Sequence, residues 1–277
     1  MLEVKNITKV LPDGRIIIKG ISFSVKKGEF VGILGPSGAG KTLTMRCCSG
    51  LMKPTTGEVL LSDETGNSTI ISHIKTKELR KARRKIGVIF QGFNLVKRLT
   101  AIENVMIGRL GDINPLRSII YGFTDEEMKE AREALGKVKI KDLAFRKVES
   151  MSGGEMQRVA IARAIFQNPL ILLADEPIAN LDPSNAKSIM KILRPLANEM
   201  PIVGVFHQPE ITQKYCTRII AIKSGEIVYD GKPNITLEQL HKIYEDEFTE
   251  FELPLDESPS VYSDNNNIVE LEQKVMM

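Results

Sequence analysis

The stretch GPSGAGKT, residues 35–42, contains the residue types that bind a phosphate group. It directly follows the apolar run FVGIL and matches the spacing G-x-x-x-x-G-K-[ST]. Its glycines let backbone N–H groups converge on phosphate oxygens, and a helix starting near Gly40 adds the positive end of its dipole. Lys41 is expected to reach the β and γ phosphates, and Thr42 to offer its hydroxyl to Mg²⁺. The predicted contact residues are Gly35, Pro36, Ser37, Gly38, Ala39, Gly40, Lys41 and Thr42.

A second candidate half of this site is LILLADEP, residues 170–177. Its apolar residues predict a buried strand that ends at Asp175, a carboxylate suited to hold Mg²⁺ through water. The next residue, Glu176, lies beyond the metal ligand and can orient an attacking water as a general base. Asp-Glu-Pro can also simply end a strand, and the phosphate loop upstream favours the chemical interpretation.

The stretch ESMSGGEMQR, residues 149–158, predicts a helix that begins with a capping box between Ser152 and Glu155. Capping alone does not explain Gly153 and Gly154, because glycine in a first turn weakens a helix by about 1 kcal/mol relative to alanine. A helix N-terminus without side chains binds anions. Since the phosphate loop already has its own lysine and helix dipole, we expect this second anion site to serve the ATP of another copy of the chain.

The elements that must position these residues are short β-branched runs separated by helical segments. FVGILG, KIGVIF, PLILLA and PIVGVF lack polar alternation, which predicts buried parallel strands in an α/β fold. RIIIKGISFSV, TGEVLLS and RIIAIKSGEIVYDG predict an antiparallel flank, the last with a turn at Ser224 and Gly225. Residues 92–165 have helical spacing and predict a helical subdomain inserted into the core. TLEQLHKIYEDEF predicts one more helix.

Charge is distributed unevenly along the 277 residues. Residues 245–277 contain ten acidic residues and one lysine, so the net charge of +3 divides into −9 for this segment and +12 for residues 1–244. The acidic segment is polar and predicts disorder, whereas residues 1–244 predict the folded domain. No run approaches the ~18 apolar residues of a membrane-spanning helix, and the charged start is unlike a signal peptide, so we expect a cytoplasmic chain.

Six motifs occur in the order found in an ATP-binding-cassette ATPase, and the chain resembles that family over residues 1–244. They are GPSGAGKT, IFQG with Gln91, MSGGEMQR, LILLADEP, ANLD with Asp182, and FHQ with His207. Within the family, VIFQGFNLVKRLTAIENVMIGRLG followed by RSIIYGFTDEE is similar to the ATP-binding subunit of phosphonate importers. The resemblance implies a phosphate-loop core of ABC type with an antiparallel β flank and an inserted α-helical subdomain.

The resemblance also implies roles for individual residues. Gln91 would contact Mg²⁺ and the attacking water, and His207 would hold the γ-phosphate and Glu176. Asp182 would cross a dimer interface, and it also has the sequence signature of an N-cap before Pro183. Ser152, Gly153, Gly154 and Glu155 would bind the partner's ATP. The implied cofactors are ATP and Mg²⁺.

The implied assembly is an importer motor at the cytoplasmic face of the cell membrane. Its partners would be a second copy of the chain, an integral-membrane permease dimer and an extracytoplasmic phosphonate-binding protein that acts through the permease. The cargo would be a phosphonate or a related anion such as phosphite. Two alternatives remain open: an importer ATPase for another cargo, and a non-transport cassette ATPase that acts on nucleic acid or ribosomes.

Three smaller features complete the predictions. Leu11 occupies the position where the family often has an aromatic residue that stacks on adenine. The segment from Lys75 to Lys85 is basic but has no interleaved aromatics, so no nucleic acid is expected, and a solvated helix or a face near anionic headgroups remains. Cys47, Cys48 and Cys216 have no metal or redox spacing and are predicted to be reduced and packed.

Overall fold

The computed structural model of the protein describes residues 1–111 and 123–244. The acidic segment 245–277 and the first six residues of RSIIYGFTDEE lie outside the described residues. The described strands are β1 (Leu2–Val10), β2 (Ile16–Val25), β3 (Phe30–Leu34), β4 (Thr56–Ser62), β5 (Ser68–Ile70), β6 (Ile86–Ile89), β7 (Ile171–Asp175), β8 (Ile202–Val205), β9 (Arg218–Lys223) and β10 (Glu226–Gly231). The described helices are α1 (Lys41–Cys48), α2 (Thr76–Arg84), α3 (Ala101–Met106), α4 (Asp125–Lys137), α5 (Gly153–Phe166), α6 (Pro183–Leu196), α7 (Pro209–Tyr215) and α8 (Leu237–Tyr244).

The central sheet has the strand order β10-β9-β3-β8-β7-β6. Strands β3, β6, β7, β8 and β9 run parallel, and β10 pairs antiparallel with β9 at one edge. Because helices or a second sheet cover both faces, these strands are apolar on both sides, as parallel sheets require. The four predicted parallel strands are confirmed. The hairpin RIIAIKSGEIVYDG is also confirmed, but its first strand lies inside the parallel sheet, since β9 pairs with β3.

A second, antiparallel sheet with the order β2-β1-β4-β5 packs against the central sheet. Its inward residues, among them Leu2, Ile7 and Val59, share one core cluster with Ile33 and Val205 of the central strands. Helices α1 and α2 also pack into this cluster. The predicted antiparallel flank is therefore present as a separate sheet that covers one face of the core.

Helices cover the opposite face of the central sheet. Between β6 and β7, the described elements are helical, and α3, α4 and α5 pack against one another. Their apolar residues, such as Val105, Leu135 and Ile161, join Leu172 and Ile202 of the sheet in the larger core cluster. None of the helices within residues 1–111 and 123–244 is long and apolar enough to cross a bilayer.

The three cysteines are packed as separate thiols. All three are buried, and none forms a disulfide. Burial raises the pKa of Cys47 to about 11 and also raises the pKa values of Cys48 and Cys216. Since a thiol with a raised pKa stays neutral near pH 7, these side chains behave as small apolar core residues, as predicted.

Candidate functional site

The carboxyl ends of four neighbouring parallel strands meet at one edge of the central sheet. β3 leads into residues 35–42, β6 ends two residues before Gln91, β7 ends at Asp175, and β8 ends two residues before His207. Open α/β sheets bind ligands at this edge. A cleft of about 390 Å³ lies there, lined by Ile17, Ser37, Gly38, Ala39, Gly40, Lys41, Thr42, Leu43, Gln91, Glu176 and His207.

The phosphate loop has the conformation of an anion cradle. Gly40 is the N-cap of α1 at φ 100°, and no side chain caps the first turn of that helix. A helix start without a side-chain cap presents its first N–H groups to a ligand, which is the arrangement that binds phosphate. Lys41 is buried, and its Nζ donates to the carbonyl oxygens of Gly35 at 2.7 Å and Pro36 at 2.8 Å.

Glu176 links two other predicted residues directly. Its Oε2 accepts a hydrogen bond from Gln91 Nε2 at 2.7 Å, and its Oε1 lies 2.7 Å from His207 Nε2. Glu176 also has φ 51°, a left-handed conformation that is uncommon outside glycine and that clusters at functional sites. The three side chains therefore form one hydrogen-bonded group at the cleft.

Asp175 has an unsatisfied oxygen beside this group. Its Oδ1 is buried and has no hydrogen-bond partner among the described residues. Burial raises the pKa of this carboxyl, and the neighbouring charge of Glu176 adds to the effect, whereas Arg46, His207 and Lys41 oppose it. A buried carboxylate oxygen without a partner is costly unless a cation or a donor satisfies it.

The Ser-Gly-Gly helix start lies away from the cleft of its own chain. Ser152 caps α5, and the predicted capping box is confirmed: Ser152 Oγ accepts from the Glu155 N–H at 3.3 Å, and Glu155 Oε2 accepts from the Ser152 N–H at 2.8 Å. Neither residue lines the cleft. The structure thus brings Gln91, Glu176 and His207 to the phosphate loop and leaves residues 152–155 outside this group.

Asn185 connects Asp182 to the start of α5. Asp182 is the N-cap of α6, as predicted, and accepts from the Ser184 and Asn185 N–H groups, each at 3.0 Å. Asn185 Nδ2 donates to Asp182 Oδ2 at 2.6 Å. A Cβ added to Gly154 would lie 2.6 Å from Asn185 Oδ1, whereas one added to Gly153 would lie 3.6 Å from Leu181.

These contacts predict opposite effects for the two glycines. We expect Gly154→Ala to displace Asn185 from Asp182 and to lower the free energy of unfolding by about 1–3 kcal/mol, as overpacking does. Gly153→Ala has room for its methyl group and should leave stability unchanged or slightly raised. Thermal unfolding followed by circular dichroism measures both variants. Equal melting temperatures for the two would contradict the packing argument.

Sequence reasoning missed that α5 holds the two loops that follow β6 and β7. Arg163 donates to the carbonyl oxygens of Phe93 and Asn94, two left-handed residues just after Gln91. Gln157 Nε2 donates to the carbonyl oxygen of Pro177 at 2.7 Å. Burial lowers the pKa of Arg163. The sequence signal was the presence of Gln157 and Arg163 among the small and apolar residues that this helix buries against the core.

The cleft is lined by Ile17 and not by Leu11, the residue that the sequence suggested. Ile17 at the start of β2 lines the cleft, and Leu11 is not among the lining residues. Leu11 lies in a turn, where its N–H donates to the Arg15 carbonyl and its carbonyl accepts from the Gly14 N–H. Leu11 thus belongs to the connection between β1 and β2, and counting back from the phosphate loop does not show the path of that connection.

Together, the strand ends, the cradle and the Gln91–Glu176–His207 group define a phosphate-loop nucleotide hydrolase. The family model described as "ABC transporter" matches residues 18–179. The chain belongs to this family and is an ATP-binding, ATP-hydrolysing cassette.

The chain is similar to known proteins over most of its length. It is 43% identical over 245 residues to the Phosphonates import ATP-binding protein PhnC of Treponema denticola, covering 87% of this chain and 94% of that protein. It is 42% identical over 247 residues to PhnC 2 of Oceanobacillus iheyensis, covering 88% and 95%. Among solved structures, the dimeric bacterial ABC transporter cassette MJ0796 is 36% identical with a TM-score of 0.72, covering 85% of this chain and all of that one.

Proposed function

We propose that the chain is the motor subunit of an importer that takes up a phosphonate or a related phosphorus oxyanion through a separate membrane permease. The observation that carries the proposal is the Gln91–Glu176–His207 group at the phosphate-loop cleft, which supplies a hydrolytic site. The names of the two curated relatives described above, both phosphonate import ATP-binding proteins, support the cargo. They favour import over a role on nucleic acid or ribosomes.

ATP would bind along residues 35–42. Lys41 Nζ, which now donates to the carbonyl oxygens of Gly35 and Pro36, would turn to the β and γ phosphates. The uncapped N–H groups at the start of α1 would bind the remaining phosphate oxygens. Ile17 is placed to cover the adenine ring by apolar contact.

The residues around Asp175 fit Mg²⁺. A divalent cation prefers oxygen ligands, and the buried, unpartnered Asp175 Oδ1 together with the hydroxyl of Thr42 and the amide oxygen of Gln91 provides them. When bound, the ion would neutralise charge on the β and γ phosphates. Asp175 and Thr42 would hold it from the protein side.

Glu176 would act as the general base that orients the attacking water. In the structure both its carboxylate oxygens are occupied, one by Gln91 and one by His207. We infer that His207 turns toward the γ-phosphate when ATP binds, which leaves one oxygen of Glu176 to accept the proton of a water molecule. Gln91 would keep the other oxygen in place.

A second copy of the chain would complete the site. Ser152, Gly153, Gly154 and Glu155 form a helix N-terminus outside the cleft of their own chain, and Asp182 adjoins them through Asn185. A symmetric dimer would place this surface against the partner's ATP. Two similar solved structures, both of the cassette MJ0796, are dimeric, and one of them is in a post-hydrolysis state with ADP and Pi, which supports this assembly.

The permease would dock in a groove beside the Gln91 loop. A cavity of about 300 Å³ lies between β6 and the helices that follow it, with Val88 and Ile107 on its apolar walls. Arg163 lines it and also binds Phe93 and Asn94. A permease segment in this groove would therefore contact the side chain that holds the Gln91 loop, which couples the permease to the ATP site.

This docking would place the chain at the cytoplasmic face of the membrane. The exposed face of α2 beside the groove carries Lys77, Arg80 and Lys81, and none of the three has an ion pair within the described ranges. A basic face of this kind is attracted to anionic headgroups. An extracytoplasmic binding protein would deliver the phosphorus oxyanion to the other side of the permease.

The domain organisation follows the same proposal. Residues 1–244 would form the ATPase domain, with a helical subdomain at about 92–165 that lines one side of the permease groove and carries the Ser-Gly-Gly helix start. Residues 245–277 would form an acidic C-terminal tail outside the ATPase domain.

Uptake measurements test the cargo. Cells that depend on this chain should lose uptake of labelled methylphosphonate, phosphite or both when the chain carries Glu176→Gln, because a motor without hydrolysis cannot cycle. Cells with the unchanged chain and cells with Glu199→Gln, a substitution in an exposed ion pair with Lys137, serve as controls. If both uptakes persist in the Glu176→Gln cells, the phosphorus assignment is wrong.

A further inference from the structure

A tyrosine from the C-terminal helix contacts the phosphate loop from behind. The hydroxyl oxygen of Tyr244 accepts a hydrogen bond from the backbone N–H of Gly35 at 3.2 Å, in a buried environment. The two residues are 209 positions apart in the sequence. Gly35 is the first residue of the phosphate loop, so this bond joins α8 to the point where the chain leaves β3.

The peptide groups of Gly35 are held on both sides. Its N–H donates to Tyr244, and its carbonyl oxygen accepts from Lys41 Nζ at 2.7 Å. Gly35 has φ 145° and packs so closely on the Ile222 carbonyl that any side chain would clash with it. A continuous hydrogen-bonded path thus leads from Tyr244 through Gly35 to the lysine that binds the phosphates.

Tyr244 is itself firmly placed. Helix α8 begins with reciprocal bonds between Thr236 and Gln239, and Lys223 of β9 donates to the carbonyl oxygen of Lys242 at 2.9 Å. Ile243 and Tyr244 are buried in the larger core cluster. The hydroxyl of Tyr244 therefore has a fixed position relative to the central sheet, which is the requirement for a group that orients another.

We propose that Tyr244 is a positioning residue for the ATP site: it holds the Gly35 peptide in the orientation that the phosphate loop needs before ATP binds. The inference rests on the proposed ATP site and not on the cargo. Without the hydroxyl, the Gly35 N–H would seek water or another acceptor, and the free loop would sample other orientations. ATP binding would then have to reorder the loop, which weakens affinity.

The test is Tyr244→Phe in the full chain, which removes the hydroxyl and keeps the ring in the core. We expect the KM for ATP to rise about fivefold to tenfold, the change that loss of one buried hydrogen bond produces, with kcat within about twofold of the unchanged chain. Amide hydrogen exchange of the segment around Gly35 should become faster in the nucleotide-free protein. ATP at saturating concentration should restore the protection.

Tyr229→Phe is the matched control. The Tyr229 hydroxyl also bonds a backbone group, the Lys232 carbonyl at 2.7 Å, but it lies on β10 away from the phosphate loop. The KM of the Tyr229→Phe variant for ATP should stay unchanged. The proposal is overturned if Tyr244→Phe lowers only the melting temperature or kcat while KM and the exchange of the Gly35 segment stay unchanged. If the chain without substitutions does not bind ATP, the proposed ATP site itself is wrong.

Discussion

Replacing Glu176 by glutamine is expected to abolish turnover while ATP binding persists. The amide keeps the size of the side chain and can still bond Gln91 and His207, but it cannot accept a proton from water. Since general-base catalysis contributes about 100-fold to 10,000-fold, we expect phosphate release to fall at least about 100-fold. ATP should still bind, because residues 35–42 and Asp175 are unchanged.

The same variant should trap a dimer. With hydrolysis blocked, ATP and Mg²⁺ would hold two chains together, and size-exclusion chromatography with light scattering at micromolar protein should report twice the monomer mass. Glu199→Gln, the same substitution in an exposed ion pair with Lys137, should retain turnover and should not trap a dimer. A Glu176→Gln protein that stays monomeric with ATP, or that keeps a tenth of the turnover, would refute the proposed roles.

Local patterns predict the parallel core and the strand ends because each depends on residues close in sequence. FVGIL, IGVI and ILLAD are apolar without alternation, which only strands covered on both faces require. Once these strands are parallel and adjacent, their carboxyl ends must lie together. The meeting of Gln91, Glu176 and His207 therefore follows from motifs at three strand ends.

Contacts between distant segments explain what sequence reasoning missed. Ile17 lines the cleft and Leu11 does not, because Leu11 lies in the turn that follows β1, and the sequence alone does not show the path of that turn. Tyr244 reaches Gly35 across 209 residues, and no local pattern encodes such a bond. The sequence of β9 is apolar like a central strand, and it is followed by a hairpin turn. The turn predicts the pairing with β10, whereas the pairing with β3 depends on strands that are distant in sequence.

Contacts within the chain explain one glycine of the Ser-Gly-Gly motif and leave the other unexplained. The close contact with Asn185 explains Gly154 within its own chain. Gly153 has no such contact, since an added Cβ would meet Leu181 at an ordinary 3.6 Å. The argument that something outside the chain approaches this backbone thus rests on Gly153 more than on Gly154.

Gly153 therefore offers a direct test of the shared site. In the Glu176→Gln background, Gly153→Asp should leave the fold intact, because its own chain has room for an added Cβ and a carboxylate suits a helix N-terminus. We expect ATP binding to each monomer within about twofold of the parent. The dimer, however, should weaken at least about 100-fold, since a carboxylate facing the partner's triphosphate costs several kcal/mol.

Gly136→Asp in the same background separates charge from position. Gly136 lies exposed on α4, an added Cβ there would come no nearer than 3.9 Å to Lys141, and the substitution adds the same charge to another face of the protein. This control should dimerise with ATP as the parent does. If Gly153→Asp also dimerises normally, the helix start does not face the partner's ATP. If it instead weakens ATP binding to the monomer, residues 152–155 serve their own chain, and the geometry that separates them from the cleft must change when nucleotide binds.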